Sequence, residues 1–237
     1  MASTILYRIP SSTTNRLTNT FSAWLKRGSL GATTGIAGSA DNSSYQTQIM
    51  FNSSDQLNVL NNDNGSANID LLTNRKFRDV NAWYHIVVTF DTPQGTSSNR
   101  CKIYVNGEQE TSLATATYPS QNADTQFNIN TRPFRIGVRS YENAAYFDGS
   151  MSHVHFIDGT AYDASAFGST DSTTGEWKIN TSPSVTYGTN GFFILKDGNT
   201  ITDSSTNSNA FTLGAGTLTK TEDNPSNVFA TFYAERS

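Results

Sequence analysis

The chain has 237 residues, of which 15% are charged, and carries a formal net charge of −4. That length can hold one large β-domain with a substantial core. The weak, slightly acidic charge balance lacks the Lys/Arg clusters that a phosphate backbone or an anionic membrane surface requires, so neither nucleic acid nor membrane is an expected partner.

A surface covered mainly by Ser, Thr, Asn and Gln suits neutral ligands such as sugars, and equally suits inert packing in a large assembly. Cys101 stands alone, which excludes an intrachain disulfide. Its place in an apolar strand marks it as a buried, inert thiol. Residues 1–10 carry no basic, apolar leader of the secretory type. No apolar run approaches the roughly 20 residues of a membrane-spanning helix.

Strand-like segments follow one another every eight to twelve residues, separated by polar turns, which is the pattern of a β-sandwich. Residues 4–9 alternate, and Phe21 to Leu25 forms a second strand broken by Gly28 to Gly31. Thr33 to Ala37, Tyr45 to Phe51, Gln56 to Leu60 and Ala67 to Leu72 follow, with the run Asn61-Asn62-Asp63-Asn64-Gly65 as a turn. Residues 118–130 read as a long surface loop. Phe134 to Val138, Tyr146 to Ile157, Gly191 to Lys196, Phe211 to Leu213 and Val228 to Tyr233 complete the strands. Asp163 to Phe167 reads as one helical turn, and Ser169 to Gly188 as a polar stretch holding Trp177.

The most informative stretch is Trp83 to Gly107. Trp83 to Phe90 carries large or β-branched groups on both faces, so it reads as a central strand covered on each side. Cys101 to Val105 returns after a loop holding Pro93 and Gly95. Asn106-Gly107 supplies the two positive φ angles of a type I′ turn, from which a third strand starts at Glu108.

These blocks carry a family resemblance. W-Y-H-I-V-V-T-F-D followed by C-K-I-Y-V-N-G-E resembles the signature of laminin-G/concanavalin A-like jelly-roll domains. Phe147-Asp148-Gly149-Ser150-Met151-Ser152-His153-Val154-His155-Phe156-Ile157 resembles the penultimate strand of that family, and Thr20 to Lys26 an early one. Together these blocks cover most of residues 18–168. The run F-I-D-G-T-A-Y-D-A-S-A-F-G resembles lectin-like domains of marine bacteriophage virion proteins. Many family members place an acid where this chain has Ser152.

The resemblance implies an all-β, antiparallel jelly-roll sandwich. We expect one domain over residues 1–237, with residues 169–237 packing on it or forming an interface. The expected inner face holds Trp24, Ile86, Val88, Ile103, Val105, Ile136, Val154 and Phe156. It also implies a virion protein: a tail-fibre, appendage or capsid-decorating subunit made in a host cytoplasm. Its partners would be other virion proteins and host-surface glycans. Because no stalk or fibre repeat is visible, attachment would come from the termini or from self-association, and an oligomer is expected, most simply a trimer in a fibre.

Concanavalin A-like folds include glycoside hydrolases, and retaining ones need two carboxyls about 5–5.5 Å apart. The E-x-D-x-x-E and E-x-D-x-E runs of the hydrolase relatives are absent. Glu108 and Glu110 form the nearest pair, read as solubilising acids on an exposed hairpin. No enzymatic activity is expected. His153 and His155 read as polar residues on a partly exposed sheet face, and His85 as a hydrogen-bonded core histidine. Asp91, Asp148, Asp158 and Asp163 sit at strand ends, where a rim calcium could find oxygen ligands. Asp148-Gly149 and Asp158-Gly159 are also ordinary turn dipeptides, and no cofactor is expected.

A sugar site needs an aromatic face with Asn, Asp or Gln beside it. Tyr141, Asn143 and Tyr146, ahead of Asp148, have that composition and are the candidate carbohydrate-binding residues. Tyr45 with Asn42, and Trp177 in its polar stretch, are the alternatives.

Overall fold

A computed structural model describes residues 3–223, apart from Asn143, Asp197 and Asn199, together with Pro225. The strand expected over Val228 to Tyr233 lies outside the described residues. The strands in chain order are β1 (Ile5–Arg8), β2 (Thr18–Arg27), β3 (Thr34–Asn42), β4 (Tyr45–Phe51), β5 (Gln56–Asp63), β6 (Ser66–Lys76), β7 (Tyr84–Asp91), β8 (Cys101–Val105), β9 (Glu108–Gln109), β10 (Leu113–Thr117), β11 (Phe134–Ile136), β12 (Gly149–Asp158), β13 (Gly168–Thr170), β14 (Trp177–Ile179), β15 (Phe192–Ile194) and β16 (Thr212–Ala215). An eight-stranded sheet in the order β10-β6-β5-β4-β3-β11-β1-β16 packs on a six-stranded sheet in the order β15-β12-β2-β7-β8-β9. Every pairing within the two sheets is antiparallel. The architecture is the all-β jelly-roll sandwich expected from the sequence.

Alternation decides which side chains meet between the sheets. From the smaller sheet come Phe21, Ala23 and Leu25, then Ile86, Val88 and Phe90, with Ile103, Val105, Val154 and Phe156 beyond them. They face Leu6, Ile49, Phe51, Val59, Leu71 and Ile136 of the larger sheet. Trp24 corrects the expected inner face. It is buried, but its neighbours Ala23 and Leu25 occupy the inter-sheet core. Its own register partner is His85, on which its ring stacks at 4.9 Å.

Residues 118–130 are also a correction. Phe127 is fully buried and stacks on Phe134 at 5.1 Å, with Phe156 at 5.3 Å and Phe90 at 5.8 Å. The segment plugs one end of the core. Its polar residues are used as struts: the Thr125 N–H donates to Arg16 O at 3.0 Å and the Gln126 N–H to Thr47 Oγ1 at 2.7 Å.

The turn after β8 is as the sequence implies, with Asn106 at φ 49° and Gly107 at φ 88°. Gly107 has a second reason to lack a side chain. A Cβ there would stand 2.4 Å from the Trp177 ring, and one on Gly168 would stand 2.6 Å from the same indole. Trp177 therefore lies flat against two glycines. Its hairpin, β13 with β14, builds a third layer over the outer face of the six-stranded sheet. That layer buries Val87, Ile157, Phe167, Tyr187 and Phe193.

All three histidines lie under or beside this layer, each about 2% exposed or less. His153 and His155 are thus not on an exposed face. A bulge between Ser152 and His155, with His153 at φ 48°, sets the local geometry. The Trp177 indole N–H donates to His85 Nδ1 at 3.0 Å, so the imidazole proton resides on Nε2 and points to Ser22 Oγ at 2.9 Å. His155 Nδ1 meets the Tyr187 hydroxyl at 2.9 Å.

Burial, reinforced by His153, pushes His85 down to about 3 and holds His155 well below the ordinary imidazole range. Unfolded histidine titrates near 6.5. Below that pH the unfolded chain binds protons that the folded chain refuses, so stability is constant above about pH 6.5 and falls below it. The slope is about 1.4 kcal/mol per pH unit for each such histidine. Urea midpoints should therefore hold level from pH 7.5 to about 6.5 and fall steadily from there to pH 4.5, and His85→Gln should remove about one proton from the slope.

Candidate functional site

A cleft of about 460 Å³ opens where β1 and β11 of the larger sheet meet the start of β12 and the chain beyond β15. Thr4, Leu6, Ile136 and Gly137 line one side. Phe147 to Ser152, Leu195 and Lys196 line the other. Residues 217–221 and Asp223 run past it, and Trp83 borders it.

The turn Phe147-Asp148-Gly149 is pinned from both sheets. The Phe147 N–H donates to Gly137 O at 2.9 Å, and the Gly28 N–H donates to Asp148 O at 2.7 Å. Gly149, at φ 149°, runs so close to β2 that a Cβ would stand 2.1 Å from Lys26 O. The Asp148 carboxylate is thereby carried on a rigid backbone at the cleft. Among the described residues no donor pairs with it. Lys196 is likewise without an ion pair, its ammonium lying 5.7 Å from the Phe193 ring.

Asp223 is committed elsewhere. It accepts from the Trp83 indole N–H at 2.9 Å and from Lys26 Nζ at 2.5 Å. These two donors, Lys26 foremost, hold its carboxyl below the usual range.

Of the residues singled out from sequence, Asp148 lines this cleft and Tyr141 and Tyr146 do not. Asn143 lies outside the described residues. Tyr141 carries the Arg139 guanidinium 4.9 Å above its ring, and Arg139 is paired with Glu142 at 3.0 Å. The next residue back, Ser140, is buried in a hydrogen bond from Gln48 of β4. Tyr45 hydrogen-bonds Asn64 at 3.1 Å and lies under Arg132 at 5.4 Å. Trp83, Phe147 and Lys196 were not singled out from sequence as cleft residues. Their signal was weak, because they come from segments 64 and 49 residues apart and only the closed sandwich brings them together.

Asp158 and Asp163 are engaged within the fold. Asp158 accepts from Thr14 at 2.7 Å, Asn128 at 2.9 Å and the Asn190 N–H at 3.0 Å. Asp163 caps the 3-10 turn Ala164–Ala166, the short helix foreseen at that place. Among the described residues no group of three or more His, Cys, Asp or Glu is arranged to hold a metal ion. Glu108 is exposed, but Glu110 is not: its side chain is 6% exposed and pairs with Arg75 at 2.7 Å, correcting the reading of both as free surface acids.

A family model described as the concanavalin A-like lectin/glucanases superfamily matches residues 6–166, which is 161 of the 237 residues. The chain belongs to this superfamily. Among solved structures, a Bacteroides ovatus protein described as a candidate carbohydrate binding protein is 18% identical, with a TM-score of 0.55. The match covers 94% of this chain and 59% of that one, so the chain spans little more than half of that relative. A heptameric SAP-like pentraxin from Limulus polyphemus is 18% identical over 67% of this chain and 71% of its own, with a TM-score of 0.45. Domain 4 of a Geobacillus stearothermophilus arabinanase, in complex with arabinotriose, is 16% identical over 64% of each chain, also with a TM-score of 0.45. No curated protein matches the chain in sequence. The family model establishes the superfamily, and the Bacteroides ovatus likeness bears on the fold alone. What the cleft binds has to be argued from its own residues.

The close approach of Gly149 to Lys26 O makes a direct prediction. Gly149→Ala must push β12 away from β2 and open the cleft, adding backbone strain to a steric clash. We expect a loss of at least about 2 kcal/mol, read as a lowered midpoint in thermal or urea unfolding.

Proposed function

We propose that the chain is a non-enzymatic glycan-recognition protein whose sugar site is the cleft beside Asp148. One observation carries this reading. An indole and a phenyl ring border the same space as a carboxylate and an ammonium that no described side chain pairs. Aromatic rings stack on the apolar face of a pyranose, and unpaired charged groups bind its hydroxyls with the stronger class of hydrogen bond. Hydrolysis finds no support in this arrangement. Asp148 and Asp223 are the acids lining the cleft, and Asp223 is already bound to Lys26 and Trp83, so the free carboxylate pair of a glycosidase is missing.

A glycan array probed with the full chain tests the proposal. Binding should fall about tenfold or more in Asp148→Ala with an unchanged melting temperature, and the bound sugars should be recovered uncleaved. Binding lost in Tyr141→Ala but kept in Asp148→Ala would move the site to the 139–146 loop and overturn the cleft.

The resemblance of Phe156 to Gly168 to phage lectin-like domains supports a virion setting, as a tail-fibre, appendage or capsid-decorating subunit. A purely structural virion role is the second reading, and an observation favours it. β16 ends the larger sheet with one edge unpaired among the described residues, and it carries Leu213 at 41% exposure, with Ile9 at 55% just beyond β1. An open edge with apolar side chains is suited to a neighbouring chain. The same feature supports a homo-oligomer, a trimer if the protein belongs to a fibre. Light scattering at high concentration should show more than a monomer, and Leu213→Lys should reduce the assembly.

A further inference from the structure

A second cleft, of about 250 Å³, opens on the outer face of the six-stranded sheet. Asp91 of β7, Lys102 and Tyr104 of β8, and Tyr162 and Asp163 of the segment ahead of the 3-10 turn line it. Lys102 and Tyr104 share that face because their register partners are Thr89 and Val87. Tyr162 is fixed at both ends: its N–H donates to Thr20 Oγ1 at 2.9 Å, and its hydroxyl accepts from the Thr186 N–H at 3.2 Å.

The polar groups here are held in place with capacity left over. Asp163 Oδ1 accepts from the Ser165 N–H at 2.9 Å and from its hydroxyl, while Oδ2 has no donor among the described residues. Asp91 Oδ2 accepts from the Gln94 amide, while Oδ1 has none. Lys102 lies in the same cleft, yet neither aspartate comes within 4.0 Å of its ammonium. Burial, and then the charge of Asp163, raises the Tyr104 hydroxyl, which keeps it protonated as a donor.

Opposite charges in one cleft that do not touch each other leave room for a group able to donate and accept at once. A sugar hydroxyl does both. The volume lies below the roughly 300–1,000 Å³ of sites for drug-sized ligands, which limits the occupant to about one ring. Two carboxylates against one ammonium disfavour an anionic ligand.

We propose that this cleft is a second saccharide site, taking one neutral hexose unit against Tyr104 and Tyr162, with its hydroxyls between Lys102 and the two carboxylates. Two sites on one chain would let weak contacts to a polysaccharide add through avidity.

Saturation-transfer NMR on the full chain, with methyl α-D-mannopyranoside, methyl β-D-galactopyranoside and galacturonate as probes, tests it. The Asp148→Ala protein should still show transfer from a neutral glycoside, which separates this site from the first cleft. Lys102→Gln, which breaks no hydrogen bond or ion pair among the described residues, and Tyr104→Ala should each weaken that signal tenfold or more in the Asp148→Ala background. No transfer in Asp148→Ala, transfer indifferent to both second-cleft substitutions, or a preference for galacturonate would overturn the proposal.

Discussion

The structure depends on β7 being apolar on both of its faces. Ile86, Val88 and Phe90 enter the core between the sheets, as any sandwich strand requires. Val87, between them, points the other way and is fully buried too. A two-layer sandwich would leave that outer face wet, so the segment after β12 must return across it. That return creates the layer holding Phe167, Trp177 and Tyr187, which covers Phe193 of β15 as well as Val87. It dictates that His85 and His155 are held neutral, that Gly107 and Gly168 bear no side chain, and that the second cleft begins where the cover ends.

The same constraint explains the division of polar groups. Under the third layer every polar atom needs a partner, and the Trp177–His85–Ser22 chain supplies one sequence of them. At the two clefts the cover is missing. There Asp148, Lys196 and Lys102 keep charges that no described side chain answers. A protein surface with few charges gains little from leaving them unpaired unless something else pairs with them, and this makes the clefts stand out from the Ser- and Thr-rich surface around them.

The meander from β7 to β9 was legible in the sequence because its signals are local. Two-sided apolarity and an Asn-Gly turn each act within a few residues. The helical turn at Asp163 to Phe167 was legible for the same reason. What escaped depended on distant partners. Trp24 reads as a core residue by its size, but one step of alternation puts it on His85. Phe127 sits among polar residues, and nothing nearby indicates that it seals the end of the core. The Trp177 hairpin has no strong β pattern and is stabilised by two glycines, one 70 residues earlier in the chain. Of the sugar-site candidates, Asp148 lines the first cleft; it was named because it follows the tyrosine-bearing loop, which itself lies away from that cleft. Trp83, Phe147 and Lys196 join it through tertiary closure alone.

The order of strands in the larger sheet has a consequence for how the protein comes into being. β1 lies between β11 and β16, so residues 5–8 find their two neighbours at 134–136 and 212–215. β1 therefore cannot be completed until β16, far later in the chain, has been made. Contacts of such long sequence separation make folding slow and leave β1 waiting for its neighbours. Arg8 is suited to that wait: a charged residue in an unpaired strand discourages association with other chains. In the finished fold its guanidinium is taken up by Asn190 O at 3.0 Å and Asn209 Oδ1 at 2.8 Å, both of which are made late.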